Sequence, residues 1–76
     1  MSAGTEGLRF AENHQWFEEH LSDLLTRYRG RFVAVDRGAV LADARDLSDL
    51  ARRFGGDPGV LIEKVVRPED EMLYVL

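Results

Sequence analysis

The sequence predicts a small α+β domain of order αββαβ, with an optional short terminal strand and a mostly antiparallel sheet of three to four strands carrying two helices on one face. Three observations predict it. Apolar residues recur at helical spacing from about Glu12 to Arg29, β-branched and aromatic residues take over after Gly30, and a second helical stripe separates two further runs of strand character.

Taken in order, residues 1–10 are small, polar or without periodicity and are expected to form a flexible tail, leaving 11–76 as the single domain. Within the first helix, Phe17, Leu21, Leu24, Leu25 and Tyr28 form one apolar arc bordered by Trp16 and His20. Asn13 is the expected N-cap, and Gly30 stands where a left-handed residue closes a helix. Phe32, Val33 and Val35 begin a strand that turns at Asp36-Arg37-Gly38 into a second, Ala39 to Ala44. Asp46 is the expected cap of a short helix defined by Leu47, Leu50, Ala51 and Phe54, which Gly55-Gly56 stops. Asp57-Pro58-Gly59 is a turn, Val60 to Val66 a third strand expected beside the first, and Met72 to Leu76 the optional fourth.

A chain of 76 residues buries only about 60% of the surface that its unfolded form exposes. There is no cysteine, so neither disulfides nor thiolate-bound metal can add stability, and a partner or a homodimer is the expected further source of buried surface. No charged-then-apolar leader opens the chain and no apolar run approaches about 18 residues. The expected location is the cytoplasm, with no membrane association.

The residue types needed for chemistry are present but badly placed for it. His14 and His20 are six positions apart, about 120° around a helix and unlike the i, i+4 spacing of zinc-binding helices. Their structural reading, with His20 packed beside Trp16 and Leu24, is preferred. Ser2, Ser22 and Ser48 stand in no nucleophile elbow. The glycine-rich Gly55 to Gly59 lacks the Lys-Ser/Thr ending of a phosphate loop, and Asp43, Asp46 and Asp49 lack the alternation of a calcium loop. No enzyme activity and no cofactor are expected. The net charge of −4 opposes sequence-independent binding to phosphate backbones. Arg27, Arg29 and Arg31 form the one basic cluster, explained first as compensation of a helix dipole.

The residues Trp16-Phe17, His20-Leu21, Leu24-Leu25, Arg27-Tyr28, Gly30 and Phe32 to Val35, with Gly38-Ala39-Val40, Leu47 to Leu50 and Ile62 to Val66, resemble a small uncharacterised family of bacterial and archaeal proteins, catalogued as a domain of unknown function. The resemblance spans roughly residues 14 to 68. It implies a compact αββαβ module with no established activity, in proteins encoded near retropepsin-like aspartic proteases. Asp36-Arg37-Gly38 lacks the hydroxyl residue of an aspartic-protease motif, so the resemblance implies at most an accessory to such an enzyme, and it assigns no catalytic residue.

The expected function is therefore a small non-enzymatic module that binds another protein through an open sheet edge or the Trp16 border, with Trp16, His20, Arg27, Arg29 and Arg31 as candidate contact residues. The alternative is an antitoxin-like regulator using the three arginines on nucleic acid. Both readings depend on the turns at Gly30 and Gly38, where a β-carbon costs roughly 1 kcal/mol or more. Gly30→Val and Gly38→Val are each expected to lower the thermal midpoint by several degrees, since about 1 kcal/mol moves so small a domain by roughly 4–8 °C.

Overall fold

The structure is a computed structural model describing residues 2–67 and Glu69, with residues 2–6 described as backbone only. It comprises α1 (Ser2–Glu19), α2 (Leu21–Tyr28), β1 (Phe32–Asp36), β2 (Ala39–Ala44), α3 (Leu47–Phe54) and β3 (Leu61–Lys64). The three strands form an antiparallel sheet in the order β2-β1-β3. The α+β class and the placement of the third strand beside the first are as expected. Met72 to Leu76 lie outside the described residues.

Two helices replace the expected first one. The chain is helical from Ser2, so the stretch expected to be a tail is part of α1, and the ladder is interrupted at His20, whose backbone sits at φ −108°, ψ 13°. The His20 amide still reaches the Trp16 carbonyl (3.0 Å), but its ring Nδ1 reaches the same oxygen (2.8 Å). Beyond this break, α2 turns Leu24 and Leu25 into the core. Its end is as expected: Gly30 has φ +81° and gives its amide to Val65 O at 2.8 Å, while Val65 N returns a bond to Arg31 O at 2.9 Å.

The helices cover both faces of the sheet, not one. β1 is the central strand, and its side chains alternate between two cores. Val33 and Val35 pack with Phe17, Leu24, Leu25, Leu61 and Val65 under α1 and α2. Phe32 and Ala34 pack with Leu50, Phe54 and Val60 under α3. An unbroken apolar run such as Phe32 to Val35 suits a strand buried on both sides, because a strand with one wet face alternates apolar with polar.

The hairpin turns through Arg37 (φ +51°) and Gly38 (φ +73°), a two-residue turn with both central residues left-handed. The register slips between Ala34 and Val35: Ala34 faces Ala42 while Val35 faces Val40, leaving Leu41 as an extra residue on β2. The bulge puts Val40 on the α1/α2 face and Ala42 and Ala44 on the α3 face, although simple alternation places all three together. Asp46 holds the position before α3 with extended backbone but makes no side-chain capping bond.

Asn13 corrects a second expectation. It is no cap; it lies inside α1, 2% exposed, and is the buried polar residue among those described. Its Nδ2 donates to Asp36 Oδ1 and to the Gly59 carbonyl, both at 2.8 Å, and its Oδ1 accepts from the Arg37 amide at 2.9 Å. One turn earlier, Arg9 donates from Nε to Asp36 Oδ1 (3.0 Å) and from Nη2 to Asp57 Oδ1, which also accepts the Gly59 amide (3.0 Å). A β-carbon at Gly59 would overlap the Arg9 guanidinium. The Gly59 amide first, then Arg9, hold the Asp57 carboxyl below its ordinary value of 3.8.

Asn13→Ala leaves the Arg37 amide and the Gly59 carbonyl without this partner, and a cost of about 1–3 kcal/mol is expected, read as a lowered midpoint in thermal unfolding. Folding favours the ionised form of Asp57, so its contribution is complete above about pH 4 and disappears as pH falls through the lowered folded value. The midpoint of the native chain should therefore fall more steeply on acidification than that of Asp57→Asn.

Candidate functional site

The break at His20 has a second consequence: it leaves an open groove of about 570 Å³ between α2 and the hairpin end of β2. Trp16 and His20 form one wall. Their rings stack with centroids 4.3 Å apart and planes 21° from parallel. A carbonyl oxygen only accepts, so His20 Nδ1 carries a proton in its bond to Trp16 O. The ring is thus held from both sides, by the stack and by the backbone.

The opposite wall is Gly38, Ala39 and Val40. The indole lies so close to the turn that a β-carbon at Gly38 would stand 3.6 Å from Trp16 Nε1. Glycine is demanded here by the positive φ; a β-carbon would meet the ring only at ordinary contact distance. Because the two-residue turn makes Asp36 and Ala39 the hydrogen-bonded pair, ladder alternation directs the N–H and C=O of Val40 away from β1, toward the open edge. β2 is an edge strand, so these main-chain groups adjoin the groove.

Leu24 and Tyr28 give the groove an apolar floor from α2, and Asp23, Thr26 and Arg27 line its rim. Arg27 falls in the last turn of α2, where a cation complements the helix dipole, and among the described residues it has no ion-pair partner.

Three of the five candidate contact residues, Trp16, His20 and Arg27, therefore meet at one place. The other two do not line it. Arg29 is the C-cap of α2, and Arg31 Nε is bonded to Asp43 Oδ2 at 2.6 Å, so the three arginines do not act as one free basic patch. His14 stands apart on the exposed face of α1, loosely paired with Glu18 at 3.9 Å. Among the described residues no three His, Cys, Asp or Glu side chains converge as metal ligands.

Sequence reasoning missed Tyr28 and the Gly38 to Val40 wall as site residues. The i, i+4 run Trp16, His20, Leu24, Tyr28 was a usable signal for the helical side; nothing local pointed to the strand side.

The chain has one tryptophan, so its fluorescence reports this groove alone. His20→Ala removes the stacked ring and is expected to shift Trp16 emission to the red and increase its quenching by acrylamide, at a stability cost of about 1 kcal/mol. An unchanged spectrum would mean that the stack does not exist in solution. No family model matches the chain, and no curated protein or solved structure matches it.

Proposed function

We propose that this protein is a small non-enzymatic interaction module that takes a short extended segment of another protein into the Trp16–His20 groove. The supporting observation is the juxtaposition of a stacked aromatic wall with the open main-chain groups of Val40. An extended segment there finds an apolar surface for a side chain and a donor and acceptor for its backbone, the combination used in strand addition. The Leu41 bulge weighs against a long added strand, because an edge bulge interrupts further pairing. Recognition then rests mainly on an anchor side chain beside Trp16, a residue type enriched at interaction hot spots.

The accessory role implied by the family resemblance is of this kind. Arg31, engaged by Asp43, weighs against a three-arginine phosphate surface. No helix among the described residues is long and apolar enough to cross a membrane, and the reading keeps the expected cytoplasmic setting.

Capture of partners from the native cell with the full chain, beside Trp16→Ala, tests this. The expected result is an enriched protein that is lost with the variant and that, when purified, shifts Trp16 emission of the native chain to the blue. A partner retained at full strength by Trp16→Ala would move the interface elsewhere. A complex that instead weakens steeply with salt and contains nucleic acid would favour the regulator.

A further inference from the structure

We infer that the groove selects its occupant by charge as well as by apolar contact: the segment it takes carries a basic and an acidic residue two positions apart, the basic one against Trp16 and His20 and the acidic one at the Tyr28 end. The inference rests on the reading of the groove as a peptide site and supplies the chemistry of the peptide.

The carrying observation is a pair of open charges on the α2 rim. Asp23 belongs to the first turn of α2 and Arg27 to its last, both line the groove, and both are exposed. A spacing of four places them on one side of the helix, the usual arrangement of an ion pair, yet among the described residues neither has an ion-pair partner. Other exposed charges of this chain do pair, Arg31 with Asp43 and, within α3, Arg52 with Asp49.

The two charges give the groove unlike ends. Asp23 is three residues beyond His20 and Arg27 seven, or about 4.5 Å against about 10 Å along the helix, so the carboxylate is the charge nearer the aromatic stack and the guanidinium the one nearer Tyr28. A lysine or arginine suits the first end: its apolar stem lies along the Trp16–His20 wall while its charged head reaches water and Asp23. An acidic side chain suits the second, where Arg27 meets it.

The spacing of the pair follows from geometry. From Asp23 to Arg27 the helix advances about 6 Å, and side chains on one face of an extended segment recur every second residue, about 6.6 Å apart. A segment laid along α2 therefore offers residues i and i+2 to the two charges, and exchanging them sets like against like at both positions.

Random short peptides displayed on phage, selected on the full native chain, on Trp16→Ala and on the reversed double variant Asp23→Arg, Arg27→Asp, test this. The expected native selection depends on Trp16 and carries a basic residue two positions from an acidic one, in a single order along the peptide; the reversed variant selects the opposite order. A synthetic peptide of the native consensus, followed through Trp16 emission, should bind the reversed variant roughly tenfold more weakly, since each exposed pair contributes up to about fivefold, and the peptide with its two charges exchanged should recover the loss. Asp23→Asn and Arg27→Gln, which keep side-chain size, should each abolish the preference for one charge alone. Trp16-dependent peptides without the charge pair, or the same peptides on native and reversed chains, overturn the inference and leave the groove reading standing. Absence of any Trp16-dependent peptide overturns both.

Discussion

The carboxamide of Asn13 ties together three segments far apart in sequence. Through it the first helix holds the hairpin turn at Asp36 and Arg37 and the loop at Gly59 that leads into β3. A buried amide is costly unless its groups find partners, and here three of its hydrogen bonds have a single arrangement of helix, turn and loop in common. Arg9 extends the same contact outward to Asp36 and Asp57. The apolar contacts of Phe17, Leu24 and Leu25 supply a non-directional driving force; the amide gives it a register. In a domain with so small a core, one directional residue of this kind has wide influence.

The sheet depends on β1 in a different way. A central strand buried on both faces lets three short strands serve two cores, with α1 and α2 above and α3 below. The bulge at Leu41 divides β2 between them, giving Val40 to one core and Ala42 and Ala44 to the other. It also leaves the exposed edge of β2 irregular, which limits uncontrolled pairing. The same distortion that completes the cores therefore confines the open main chain to the neighbourhood of Val40, beside Trp16.

The groove follows from these constraints. With the hairpin turn held by Asn13, the indole of Trp16 lies against Gly38, and the helix is interrupted at His20. His20 occupies the gap, its ring bonded to the Trp16 carbonyl that its own amide also reaches and stacked on the indole. An aromatic wall faces an open strand edge because a helix breaks between the core positions Phe17 and Leu24.

Local sequence by itself determined the hairpin, the left-handed glycines at 30 and 38, the short helix from Leu47 to Phe54 and the pairing of Trp16 with His20. Each depends on backbone preferences or side-chain spacing within a few residues. It also singled out Trp16, His20 and Arg27, which share one helical stretch and one side of it. Tertiary structure alone decided the break at His20, the coverage of both sheet faces, the bulge and the role of Asn13. Asn is equally suited to a helix cap and to a buried hydrogen-bonding network, and its choice between them depends on Asp36, Arg37 and Gly59, which are 23 to 46 residues away. Helical periodicity likewise runs through His20 unbroken; only packing against the sheet gives the Trp16 carbonyl a reason to accept a side chain as well as an amide.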